Sequence, residues 1–240
     1  MLPACRSECL PDAPRAASAW HFFGHQLKCP TGIAGRLTGH LMRAVNRRPN
    51  ALAIGRLAIG PADQILEIGF GPGEAIRTMA AKAKAGRVYG VDRSAAMVSL
   101  ASRRNRCGIA DGRVRLFEAN SLSLPLAAES IDKILAVNVI YFWDDVAGVL
   151  HEARRVLRHG GVLSLYATDA AAMRRWKFAG PETHHLYSEE SLRRVLGEAA
   201  DSRDDVSVER VMVAPGLPGL IAVLVKNDGG NDRSKRSIQA

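Results

Sequence analysis

The sequence predicts an α/β protein: a seven-stranded, mostly parallel sheet with helices on both faces and an antiparallel hairpin at its C-terminal edge. Three observations carry this. Short, near-continuous apolar runs alternate with segments whose apolar residues recur at i, i+3, i+4 and i+7; these are strands buried on both faces and amphipathic helices that cover them. The last two apolar runs are separated by a Pro/Gly-rich stretch with no helical segment, which makes them antiparallel neighbours. A chain of 240 residues is long enough for one such domain and too short for two comfortable ones.

Residues 1–19 are rich in Pro, Ala and charge without a period, and a disordered leader is expected there. Residues 20–60 read as an N-terminal helical cap, with Asn50 as the N-cap of the helix that feeds the first strand. The main domain is placed at 61–226. Strand one is Gln64–Ile68, and the next helix carries Ile76, Met79, Ala80 and Ala83 on one stripe. Strand two is Arg87–Val91; Ser94 caps the following helix, whose stripe includes Met97, Leu100 and Ala101. Strands three and four are Val114–Phe117 and Ile131–Val137. A helix with Val146, Val149, Leu150, Ala153 and Leu157 in register is expected to end at Gly160-Gly161. Strand five is Val162–Ala167, and a last helix carries Leu192, Val195, Leu196 and Ala199. Val206–Val213 and Leu220–Val225 then meet across residues 214–219. Residues 227–240 are polar and read as a flexible tail.

Composition narrows the function classes. No apolar run approaches the roughly 20 residues that span hydrocarbon, and the N-terminus lacks a compact apolar signal region, so a cytoplasmic protein is expected. Four cysteines, Cys5, Cys9, Cys29 and Cys107, read as reduced thiols. Cys5 and Cys9 have no second Cys/His pair at finger spacing, and no metal is expected. The net charge is +9, and up to Gly60 eight basic residues stand against two acidic ones. Such an arm suits an anionic membrane surface, nucleic acid or an acidic substrate, or is a solvated helix face.

The chemistry concentrates in Ile65-Leu66-Glu67-Ile68-Gly69-Phe70-Gly71-Pro72-Gly73, a buried strand ending in a glycine turn that opens into a helix. Glycines there allow positive φ and close approach of backbone to a ligand. Asp92 ends the next strand. This acidic-x-Gly-x-Gly-x-Gly pattern with Asp92 resembles the cofactor site of class I S-adenosylmethionine-dependent methyltransferases, most strongly over 63–168 and in their quinone-biosynthesis and small-molecule branch. The resemblance implies a Rossmann-like fold and S-adenosyl-L-methionine as cofactor. A nicotinamide dinucleotide site also uses a glycine loop and an acid about 20 residues on. In its Gly-x-Gly-x-x-Gly/Ala pattern, however, the third small residue would be Glu74, a carboxylate facing the pyrophosphate. S-adenosylmethionine has no phosphate and carries a sulfonium and an ammonium, which acids suit.

By resemblance, Gly69, Phe70, Gly71 and Gly73 wrap the cofactor, Glu67 orients its amino group and the loop, and Asp92 accepts both ribose hydroxyls through two free oxygens. Asn120, where relatives usually carry Asp, with Ser121 and Leu122, faces the adenine, and Arg93 and Met97 wall it. Asn138 opens the segment that passes beneath the sulfonium and faces the acceptor. Asn138 and Tyr141 match the spacing of an Asn-Pro-Pro-Tyr nucleobase signature, but Val139 and Ile140 replace both prolines, whose fixed φ presents the Asn, so that reading is declined.

Nine of the 13 aromatic residues fall in three segments outside the sheet, around Trp20-Phe22-Phe23, Tyr141-Phe142-Trp143 and Trp176-Phe178-Tyr187. Relatives build the acceptor cap from these three places, which implies a small, lipophilic or aromatic acceptor such as a lipid, quinone or natural product. His25, His40, His184, His185 and Tyr141 are the candidates for a general base, and no catalytic residue is singled out. The basic arm, with Lys28, Arg36, Arg43 and Arg47, offers peripheral contact with an anionic membrane; nucleic acid is disfavoured for want of a recognition domain. An RNA or protein methyltransferase and a non-catalytic cofactor-binding module stay open, as do the oligomeric state and the atom methylated.

Overall fold

The computed structural model describes residues 32–176, 178–179 and 184–227, with side chains from Met42 onward except Ala44. The leader, the aromatic group Trp20-Phe22-Phe23, Lys28, the side chains of Arg36 and His40, His25 and most of the tail lie outside the described residues.

Seven strands form one sheet in the order β3-β2-β1-β4-β5-β7-β6. They are β1 (Gln64–Ile68), β2 (Arg87–Asp92), β3 (Val114–Glu118), β4 (Ile131–Val137), β5 (Leu157–Thr168), β6 (Asp205–Ala214) and β7 (Leu217–Val225). β1 pairs in parallel with both β2 and β4, and β7 lies antiparallel between β5 and β6. The order reverses between β1 and β4, and a crevice opens outside the carboxyl ends of strands at such a switch point. Alternation along the central strands sorts the core into two layers. Leu66, Ile68, Ile134 and Ala136 pack with helices α5 (Val146–Val156) and α7 (Glu189–Ala199), through Val149, Leu150, Leu192 and Leu196. Ile65, Leu135 and Val137 face helices α1 (Gly32–Arg56), α2 (Glu74–Lys82) and α3 (Ala95–Arg104) on the other side. Glu67 shares the parity of Ile65 and so points toward α1.

The local signals hold at several ends. Ser94 Oγ accepts from Met97 N at 3.4 Å, Asp145 caps α5 through Gly148 N at 2.8 Å, and Ser188 with Ser191 makes a capping box on α7. Two short helices were not anticipated: α4 (Arg106–Ala110) and α6 (Ala170–Met173), with one 3-10 turn at Ile140–Phe142.

Several boundaries differ from the sequence reading. Asn50 caps nothing: α1 runs on from Gly32 to Arg56 with Pro49 inside it. Proline's lost N–H removes one hydrogen bond there, and burial of Pro49, Ala53, Ile54 and Leu57 holds the helix together regardless. The helix of Val146 ends at Val156, not at Gly160-Gly161; Leu157 is already extended opposite Ile131, and Gly160 at φ 75° takes up an irregularity inside β5. The final hairpin is tighter than the stretch 214–219, because Ala214 pairs with Leu217 around Pro215-Gly216, with Gly216 at φ 71°. β2 and β3 each run one residue further than expected, so Asp92 closes β2 opposite Glu118.

Candidate functional site

The turn after β1 is held by backbone conformations that only glycine adopts without strain: Gly69, Gly71 and Gly73 have φ of 70°, 48° and 75°. Two of the three also lack room. A Cβ on Gly69 would meet Val139 Cγ1 at 2.4 Å, and one on Gly73 would meet Ala101 Cβ at 2.7 Å. Gly71 is different, with Met42 Cε at 3.7 Å the one neighbour, so its bare face looks into the crevice beneath α1. The loop is braced from α3, where Arg104 Nη1 donates to Pro72 O at 2.8 Å and Asn105 Nδ2 to Gly73 O at 3.0 Å.

The crevice is lined by Met42, Arg43, Asn46 and Asn50 of α1, by Glu67 and Val137 of the sheet, and by Gly69 to Pro72 with Glu74. Glu67 is 4% exposed, and its Oε2 has no hydrogen-bond partner. Burial, reinforced by the neighbouring Asp92 carboxylate, holds its pKa well above the ordinary glutamate value. An orphaned buried carboxylate oxygen is costly, and a ligand ammonium would relieve it. Burial also raises the Asp92 pKa. Glu74 opens α2 and makes ion pairs with Arg77 and Arg104, each at 3.6 Å. With Glu74 already paired, Glu67 and Asp92 are the two desolvated carboxyls at the loop, an arrangement that suits the ammonium of a phosphate-free cofactor.

Asp92 also holds the backbone around it. Its oxygens are not free: Oδ2 accepts from Gly71 N and Oδ1 from Ser94 N, both at 2.9 Å. One acceptor position remains on each oxygen, so a diol still fits. Phe70 is buried against Gly90 and also forms part of the crevice lining. Met97 is 1% exposed and belongs to the core side of α3, whereas Arg93 is exposed. Asn120 Oδ1 accepts from Leu122 N at 3.0 Å in a local turn, with Asn120 exposed, Ser121 half-buried and Leu122 43% exposed. This rim stands beyond β3, apart from the Glu67 pocket.

Asn138, directly after β4, adopts φ 54°. Its Oδ1 accepts from Tyr141 OH at 2.8 Å and Thr168 Oγ1 at 3.3 Å, and its Nδ2 donates to Asn46 Oδ1 at 2.8 Å. Tyr141 OH in turn accepts from Thr168 N. Burial drives the Tyr141 hydroxyl far above the usual tyrosine range, which removes it as a base and leaves it as a hydrogen-bond relay. Beyond it lies an aromatic group: Phe142 and His184 at 4.9 Å between ring centroids, Tyr141 and His184 at 5.9 Å, and Trp176 stacked on Phe178 at 5.4 Å. His184 is buried and His185 exposed. Two of the three aromatic segments therefore converge.

Met42, Asn46 and Asn50 escaped the sequence reading, although their four-residue spacing was visible, because the Asn50 cap divided the helix in two. Asn105 and Arg104 carried no signal as ordinary polar residues at the end of a helix. Arg43 and Arg47 are exposed on α1. Among the described residues no group of His, Cys, Asp and Glu could hold a metal ion, and no helix is long and apolar enough to cross a membrane.

Residues 66–165 match the methyltransferase domain family. The chain is 35% identical over 125 residues to the uncharacterized methyltransferase YdaC of Bacillus subtilis, covering 52% of this chain and 67% of that one. It is 34% identical over 119 residues to the ubiquinone/menaquinone biosynthesis C-methyltransferase UbiE of Syntrophotalea carbinolica, covering 50% of this chain and 49% of that one. In fold it is similar to phosphoethanolamine N-methyltransferase 2 of Haemonchus contortus, solved with phosphomonomethylethanolamine and S-adenosylhomocysteine. That match has a TM-score of 0.69 at 14% identity, over 88% of this chain and 61% of that one.

Proposed function

The chain belongs to the class I S-adenosylmethionine-dependent methyltransferase family, and from that premise we propose that it methylates a small, lipophilic or aromatic acceptor. The observation that carries the acceptor class is the ring group of Tyr141, Phe142, Trp176, Phe178 and His184 at the carboxyl ends of β4 and β5. Rings of this kind exclude water and bind apolar faces. The similarity to a quinone-biosynthesis enzyme supports the same class.

The cofactor, when bound, supplies a methyl group on positive sulfur, so the protein needs no strong nucleophile of its own. Glu67 would hold the cofactor's ammonium, Asp92 its hydroxyls, and the bare face of Gly71 would let backbone approach. The aromatic group excludes water from the acceptor side and fixes its orientation. Positioning of this sort contributes on the order of 7–11 kcal/mol to a bimolecular transfer. His184 faces the rings of Tyr141, Phe142 and Phe178 and forms part of the same wall.

The test is transfer of labelled methyl from S-adenosylmethionine to a panel of quinols, phenols, terpenoids and lipid amines, with bulk RNA and protein as comparators. Turnover of a lipophilic member, reduced by Phe142→Ala, supports the reading. Transfer confined to RNA or protein overturns it.

A further inference from the structure

We infer that Asn138 is a positioning residue that latches α1 over the cofactor loop and ties that closure to the acceptor side. The inference rests on the methyl-transfer reading of the same site and assigns Asn138 a role other than contact with the cofactor.

Its backbone gives the first reason. A non-glycine residue at φ 54° is uncommon, and asparagine bears the left-handed region with less strain than most side chains. Backbone geometry alone would be served as well by glycine. What glycine lacks is the side chain, and here every polar atom of that side chain is used. The Oδ1 accepts from Tyr141 and Thr168, and the Nδ2 donates to Asn46. The main-chain N–H donates to Tyr166 O at 2.9 Å, which fixes the residue to the sheet.

The partners give the second. Asn46 lies on the same face of α1 as Met42 and Asn50, at four-residue spacing, and all three line the crevice that holds the orphaned Glu67 oxygen. Tyr141 begins the aromatic group, and His185 N donates to Tyr141 O at 3.0 Å, fastening the segment that carries His184 to the same turn. A continuous path thus runs from the roof of the cofactor loop, through one amide, to the acceptor wall. Movement of the Tyr141 turn withdraws the orientation of the amide that α1 requires.

Substitutions separate a latch from a merely structural residue, because the amide has one donating and one accepting end. Asn138→Gly keeps the left-handed backbone and deletes the latch. Asn138→Asp keeps an acceptor for Tyr141 and Thr168 and cannot donate to Asn46. Asn46→Ala removes the acceptor that Asn138 needs. Calorimetric titration of the full chain with S-adenosylhomocysteine reads each, with thermal unfolding of the unliganded protein alongside. The latch predicts affinity weakened about 3–10-fold, the worth of one hydrogen bond, in Asn138→Gly, Asn138→Asp and Asn46→Ala. The Asn46→Ala/Asn138→Gly double variant is expected to lose no more than either single change. Unfolding of Asn138→Gly within a few degrees of wild type, with that loss of affinity, assigns the effect to positioning. Unchanged or tighter binding in both Asn138 variants overturns the latch, as does additive loss in the double variant. Absence of any binding by the wild-type protein counts instead against the cofactor reading.

Discussion

Asp92 Oδ2 accepts the backbone N–H of Gly71 at 2.9 Å, so a carboxylate expected to meet the ligand also holds the loop that would wrap it. Its other oxygen receives Ser94 N, at the start of α3. One side chain thereby fixes the turn after β1 to the turn after β2, beside the switch point.

Removing Asp92 is therefore expected to cost both binding and stability. Asp92→Ala leaves two amides without their acceptor, and about 1–3 kcal/mol of stability is the usual effect. Thermal unfolding checks this with and without S-adenosylhomocysteine. The variant unfolds earlier when unliganded, and it also gains less from the ligand.

Glu67→Gln is expected to act in opposite directions on stability and binding. Burial beside Asp92 holds the Glu67 pKa above its unfolded value, so the native state binds the proton more tightly than the unfolded one. Stability from this group is thus present at low pH and is lost as pH rises from about 4.3 through the native pKa. A neutral amide escapes that loss. The variant unfolds at higher temperature than wild type at neutral pH, by about 2–4 °C for each kcal/mol relieved, and the two converge near pH 4.3. Cofactor affinity moves the other way, because the amide cannot pair with an ammonium. In wild type that affinity falls as pH drops through the native pKa, and calorimetry in buffers of different ionisation enthalpy shows proton release on binding.

Tyr141→Phe tests relay against base. The hydroxyl stays protonated far above the ordinary tyrosine value of about 10, so neither wild type nor variant is expected to show a tyrosine limb in the pH–rate profile. The variant leaves Thr168 N and one Asn138 lone pair without this partner. A loss of about tenfold in turnover, with the shape of the profile unchanged, is the expected outcome.

Lys226 offers a control away from the site. It is 5% exposed, and its Nζ donates to Leu157 O at 2.8 Å and Arg154 O at 3.2 Å while pairing with Glu129 at 3.2 Å. These are the carbonyls at the end of α5, where a cation is favoured. Lys226→Ala is expected to lower stability by about 2–3 kcal/mol and to leave the affinity for S-adenosylhomocysteine unchanged.

How much of this was legible follows from range. The β1–glycine loop–α2 unit, Asp92 at the end of β2 and the seven-strand alternation are local patterns, and they stand where the sequence put them. The orphaned state of Glu67 Oε2 was not legible, because it depends on what α1 brings over the loop. Asn50 failed as a cap for a related reason: proline at 49 and asparagine at 50 look locally like a helix start, and the burial of Ala53, Ile54 and Leu57 against the sheet overrides them. Asn120 and Leu122 are joined by a hydrogen bond in a local turn, a detail that their reading as an adenine rim did not include. The amide of Asn138 reaches Asn46, 92 positions away, and no spacing rule carries that far.

The most direct test of the central claim is calorimetric titration of the full chain with S-adenosylmethionine, S-adenosylhomocysteine and NAD. The account predicts saturable, micromolar binding of the first two, weakened in Asp92→Ala, with no heat from NAD. Saturable NAD binding without response to S-adenosylmethionine would contradict it, and with it the assignment of the acids around Gly69–Gly73 to a cationic cofactor.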